Sequence, residues 1–104
     1  MTLAAECIRL AAERGVRLAV AESLTGGLLC AELVRVPGAS AAVSGGVVAY
    51  ATELKASLLG VAEERLRETG PVDALVAEQM ARGVRQACAL GGVPADVGLA
   101  TTGV

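Results

Sequence analysis

Histidine, phenylalanine and tryptophan are missing from this chain of 104 residues, and tyrosine and lysine occur once each, as Tyr50 and Lys55. Without histidine there can be no Ser-His-Asp triad, and the commonest zinc ligand is gone. Cys7, Cys30 and Cys88 are too widely spaced for a CxxC pair, so no metal site is expected. Their odd number reads as reduced thiols in a cytoplasmic protein, each packed in a helix as a small hydrophobe. One aromatic ring gives no stacking platform for bases, and a net charge of -2 gives no basic patch. Nucleic acid is therefore not an expected partner. Glu6, Arg9, Glu13 and Arg14 break the N-terminal apolar run, so no signal peptide is expected. The longest uncharged stretch, 36–52, contains a proline and three glycines, and it is shorter than the roughly 20 residues of a membrane span.

What is present is aliphatic. Hydrophobic residues make up 54% of the chain, mostly Ala, Val and Leu, which predicts one domain with a sizeable core. Thr2 is a plausible cap for a helix to about Arg14, with Gly15 ending it. "VRLAVAE" (16–22) reads as a strand, "SLTGG" (23–27) as a turn, and a second helix is expected from about Thr25 to Leu33. "GGVVAYA" (45–51) reads as a buried strand, and "TELKASLLG" (52–60) as a short helix capped by Thr52. A charged helix closed by Gly70 follows, then a long helix over about 73–90 with Leu75, Val76, Met80, Val84 and Ala87 at helical spacing. "DVGLATTGV" (96–104) begins as a third strand. Helix-separated apolar strands predict an α/β three-layer sandwich with a mostly parallel sheet. Three strands are few for a sheet covered on both faces. The pattern predicts a domain cut short at its C-terminus, or an open edge completed by another chain in a homo-oligomer.

Three stretches could carry chemistry. "AESLTGG" opens a helix after a strand, either as an ordinary capped turn or as a backbone cradle for an anion. "PGAS" places Ser40 where it could cap a helical turn or act as a nucleophile. With no histidine, such a nucleophile needs another base. A lysine serves if burial keeps it neutral, and Lys55 is the only one. Tyr50 could then bridge Ser40 and Lys55. The alternative is a solvated Lys55 in a first helical turn and a Tyr50 at the core edge. In "ATTGV", Thr102 closes a strand where ligands of open α/β sheets bind, or is there for its β-propensity alone.

Five segments, "AESLTGG" (21–27), "VPGAS" (36–40), "GGVVAYATELKASLLGV" (45–61), "GPVDALVAEQMARGVR" (70–85) and "ADVGLATTGV" (95–104), together resemble the C-terminal domain of the CinA (competence/damage-inducible protein) family. That family is similar to stand-alone nicotinamide mononucleotide deamidases. The resemblance implies an α/β/α sandwich with a mixed sheet of about five strands, the last of them beyond Val104. It implies hydrolysis of the carboxamide of nicotinamide mononucleotide to nicotinate mononucleotide and ammonia, without a cofactor. It assigns Ser40 as nucleophile, Lys55 as base and Tyr50 as proton carrier. Ser23, Thr25, Gly26, Gly27, Thr102 and Gly103 are implied to line the substrate pocket. The expected partner is then a small nucleotide, with no membrane. The alternative function is a non-catalytic nucleotide-binding, regulatory or oligomerisation module.

Overall fold

Thr2 accepts a hydrogen bond from the Ala5 N–H and starts helix α1 (Leu3–Arg14), and Gly15 ends it, as the sequence predicts. The computed structural model describes residues 1–103, so the last residue of "ATTGV" lies outside the described residues. Strand β1 (Leu18–Glu22), helix α2 (Leu28–Val34), a 3-10 turn (Ala39–Ala41) and strand β2 (Val43–Val48) follow. Helices α3 (Thr52–Ser57), α4 (Glu63–Thr69) and α5 (Ala74–Ala87) then lead to strand β3 (Val97–Ala100). The strands run parallel in the order β2-β1-β3. No helix among the described residues is long and apolar enough to cross a membrane.

Side chains alternate across a strand, and β1 uses both faces. Leu18 and Val20 pack with Ile8, Ala11 and Leu33 under α1 and α2. Ala19 and Ala21 face the other layer, with Val76, Met80 and Val84 of α5 and with Leu59 and Val61. All five residues of β1 are buried, so the central strand fixes what its C-terminal end presents. Two glycines set how near α5 can come. A Cβ on Gly83 would lie 1.7 Å from the Leu59 carbonyl oxygen, and one on Gly98 would lie 2.0 Å from that of Ala81.

The structure differs from the sequence reading in four places. Helix α2 starts at Leu28 rather than Thr25, for a reason given below. Strand β2 is an edge strand with two exposed residues, ending at Val48 before Tyr50. It is not the buried strand that its β-branched centre suggested. The residue at the cap of α3 is Ala51, and Thr52 lies inside the helix with no side-chain cap. Cys7 is exposed, while Cys30 and Cys88 are half-buried. Helical spacing placed Cys7 in α1 but not on its inward face, which Ile8 and Ala11 supply.

Candidate active site

Glu22 ends the apolar strand β1 and is 1% exposed. It falls on the α2 side, and its carboxylate takes up the start of that helix. Oε1 accepts from the Thr25 hydroxyl at 2.5 Å and from the N–H groups of Gly27 at 3.1 Å and Leu29 at 2.9 Å. Oε2 accepts from the Cys30 N–H at 2.9 Å. These are orphan donors of a helix start, satisfied by an acid several residues upstream. Reaching them requires the turn to fold back, and Gly26 and Gly27, at φ 60° and 110°, supply the left-handed backbone. Burial works to raise the Glu22 pKa, but the bonds from Thr25, Cys30, Leu29 and Gly27 outweigh it and hold it below the usual value. The helix start is therefore filled by the protein's own anion. The cradle read from "SLTGG" is not open to a ligand anion at these N–H groups.

Ser23 points the opposite way, as the next residue of a strand must. It is 6% exposed and meets Lys55 of α3, which is 1% exposed. Lys55 Nζ lies 2.9 Å from Ser23 Oγ, 2.7 Å from the Ala49 carbonyl oxygen and 3.1 Å from that of Tyr50. Burial lowers the Lys55 pKa, because the ammonium loses water there without gaining an acidic partner among the described residues. The two carbonyls decide the orientation of the amine. Both accept only, so a neutral Lys55 must turn its two N–H bonds toward them. Its lone pair is then left facing the Ser23 hydroxyl.

Ser23 and Lys55 form part of the wall of a pocket of about 330 Å³, together with Tyr50, Thr52, Pro71 and Gly103. The pocket opens at the C-terminal ends of the parallel strands, where ligands of open α/β sheets bind. A wider groove of about 700 Å³ between α3 and α4 contains no residue of this pair.

The residues proposed from sequence divide accordingly. Lys55, Tyr50, Ser23 and Gly103 meet at the pocket. Tyr50 supports Lys55 through its backbone carbonyl, and the residue is 75% exposed, so the phenol does not bridge the amine to a serine. Ser40 does not meet Lys55 at all. Ser40 precedes β2 and Tyr50 follows it, so a six-residue strand, about 20 Å long at its usual rise, stands between them. Ser40 is exposed, and its carbonyl accepts from Arg17 Nη1 at 2.9 Å. The reading of Ser40 as the residue served by Lys55 is corrected by this geometry. Thr25, Gly26 and Gly27 shape the turn behind Ser23 rather than the pocket wall. The Thr102 hydroxyl donates to the Pro71 carbonyl at 2.6 Å and ties the end of β3 to the pocket rim.

Two residues of the site escaped the sequence reading. Glu22 reads from sequence as the end of a strand, and no local spacing marks it as the acceptor for the start of α2. Thr101 lies in a segment that the sequence marks only as the continuation of a third strand, yet its hydroxyl accepts the Ser23 N–H.

Comparison with known proteins identifies the family and the fold. The profile of the CinA C-terminal domain family matches residues 1–104. A CinA-like protein of Frankia casuarinae is 55% identical over 92 residues, which cover 88% of this chain and 20% of that protein. A CinA-like protein of Gloeobacter violaceus is 50% identical over 103 residues, covering 99% of this chain and 23% of that protein. The chain thus spans about a fifth to a quarter of the length of these curated relatives. The crystal structure of the competence damage-inducible protein A (ComA) of Klebsiella pneumoniae superposes with a TM-score of 0.76 at 36% identity, over 79% of this chain and 51% of that one. The chain belongs to the CinA C-terminal domain family.

Proposed function

We propose that this chain is an amidohydrolase domain that removes ammonia from the carboxamide of nicotinamide mononucleotide, with Ser23 as nucleophile and Lys55 as general base. The observation that carries this reading is the 2.9 Å contact between two buried side chains, Lys55 Nζ and Ser23 Oγ, in the wall of an open pocket. The family resemblance supplies the substrate. Neutral Lys55 takes the Ser23 proton as Oγ attacks the carboxamide carbon. The proton returns to the leaving nitrogen, which departs as ammonia and leaves an acyl-serine. Water, deprotonated by the same amine, then adds to the acyl carbon and releases nicotinate mononucleotide with Ser23 restored.

The developing oxyanion needs donors that the fold has not already used. The N–H groups of Ser23, Gly26, Gly27, Leu28, Leu29 and Cys30 are all engaged. The N–H groups of Leu24 and Thr25 have no partner among the described residues, and they directly follow the nucleophile. Tyr50 offers an exposed ring at the pocket wall to a planar heteroaromatic substrate.

The test is ammonia release from nicotinamide mononucleotide by the chain and by Ser23→Ala, Lys55→Ala and Ser40→Ala. Loss of release in the first two and retention in the third is the expected result. Full activity of Ser23→Ala would remove the assigned nucleophile.

A further inference from the structure

Behind the Ser23 turn, the hydroxyls of Thr25 and Thr101 lie 2.8 Å apart. The direction of their hydrogen bonds follows by elimination. Glu22 is held ionised by its donors and only accepts, so the Thr25 proton goes to Oε1. Thr25 has no second proton and must accept from Thr101. The Thr101 oxygen, its own proton committed, accepts from the Ser23 N–H at 3.3 Å. Only one ordering satisfies every partner: Ser23 N–H to Thr101, Thr101 to Thr25, Thr25 to Glu22. Thr101 is itself pinned, because its N–H donates to the Ala21 carbonyl at 2.9 Å.

We propose that Thr101 is a positioning residue for Ser23, the link of a one-way hydrogen-bond chain that anchors the Ser23 backbone on the buried Glu22 carboxylate and keeps its hydroxyl against Lys55. The inference rests on the reading of Ser23 as nucleophile. Thr101 touches the Ser23 backbone but neither side chain of the pocket pair nor a reacting atom. It acts by holding the turn in one place while the adjoining Leu24 and Thr25 N–H groups stay free. A nucleophile is sensitive to such placement, since displacement by about 1 Å can cost about a hundredfold in rate.

The test uses Thr101→Val, which keeps the shape and removes the hydroxyl, and Thr101→Ser, which restores it. The first measurement needs no substrate: hydrogen exchange of the Ser23 amide by NMR. Exchange is expected to quicken about tenfold or more in Thr101→Val and to stay within about twofold of the parent in Thr101→Ser. The second is turnover of nicotinamide mononucleotide. There kcat is expected to fall about tenfold to a hundredfold in Thr101→Val with KM unchanged, and to recover in Thr101→Ser. If the parent chain releases no ammonia, the functional reading fails, while the exchange measurement still decides the hydrogen-bond chain. Unchanged Ser23 exchange in Thr101→Val overturns the proposal. So does equal loss of kcat in both variants, or faster exchange with an unaltered kcat. Should Thr101→Val not fold, Thr25→Val removes the acceptor of the Thr101 hydroxyl and is read by the same two measurements.

Discussion

The two ends of the sheet hold nearly the same hydrogen-bond set around a basic side chain. At the C-terminal end, Lys55 contacts the Ser23 hydroxyl and the carbonyls of Ala49 and Tyr50. At the N-terminal end, Arg17 donates to the Ser44 hydroxyl at 3.1 Å and to the carbonyls of Ser40 and Val43, each at 2.9 Å. Each arrangement is one serine and two carbonyls. A guanidinium cannot give up its proton to act as a base, so the Arg17 end can only be a clamp. It fastens the start of β2 to β1, and the Arg17 N–H adds a 2.7 Å bond to Asp96 at the start of β3. An amine can lose its proton, and burial pushes Lys55 toward doing so. The difference between latch and candidate catalyst lies in the cation chosen and in the pocket beside it.

Replacing each cation by methionine should separate these roles, and the largest effect is expected at Lys55. Lys55→Met keeps the stem and removes the base, so ammonia release should fall by roughly 10²–10⁴-fold. Arg17→Met removes the clamp. It should lower stability by about 2–4 kcal/mol, with about 1 kcal/mol or somewhat more for each charged bond lost. The kcat of its folded fraction should be unchanged. Chemical denaturation and single-turnover assays on both proteins check the contrast. An Arg17 variant with normal stability and lost chemistry would erase it.

The packing that holds Lys55 in place can be strained from the opposite side. Gly83 of α5 lies against the Leu59 carbonyl, just beyond α3. A methyl group there meets backbone, which cannot rotate away. Gly83→Ala should cost about 3 kcal/mol, the upper part of the usual range for overpacking. Denaturant midpoints measure this. Since the disturbance falls on the Lys55 side, activity at Ser23 should weaken with it.

pH sharpens the comparison further. Activity should rise with pH on a limb whose midpoint lies below 10.5, the unperturbed value for lysine from which burial lowers Lys55. The folded state binds fewer protons there than the unfolded chain. Stability should therefore also increase as pH rises from the lowered Lys55 pKa to 10.5. Glu22 gives a slope of the same sign at the acid end. Its folded pKa lies below 4.5, so its contribution is present above 4.5 and is lost as pH falls through the folded value. Urea titrations at stepped pH should show both slopes. Glu22→Gln should flatten only the acid one.

Much of this fold was legible in local chemistry. Thr2 and Gly15 mark α1, and the stripe containing Val76, Met80 and Val84 gives α5, whose inward face is these three buried residues. The value of Lys55 was legible too, as the only amine in a chain without histidine. Its partner was not. The sequence reading assigns Ser40 to it and leaves Ser23 in the pocket wall, and the distinction depends on which end of a parallel sheet each serine occupies. Ser23 follows β1 and Tyr50 follows β2, and parallel pairing brings those two ends together. Ser40 precedes β2 and belongs to the far end. That relation is a property of strand register across 27 residues, from Ser23 to Tyr50, and no short motif carries it. The late start of α2 was hidden for a similar reason, because Glu22 caps it from the preceding strand.

The smallest effect is expected at Ser40, and it bears most directly on the contrast between the two ends. Ser40 takes part in the Arg17 clamp through its backbone carbonyl, which alanine provides equally. Its side chain is exposed and makes no hydrogen bond among the described residues. Ser40→Ala should therefore shift stability by no more than about 0.5 kcal/mol, as surface substitutions usually do. Turnover of nicotinamide mononucleotide should stay within about twofold of the parent, because a group a strand's length from Lys55 cannot exchange a proton with it. A loss as deep as that of Ser23→Ala would mean that the N-terminal end carries chemistry after all. The matching hydrogen-bond sets around Lys55 and Arg17 would then no longer separate catalyst from latch.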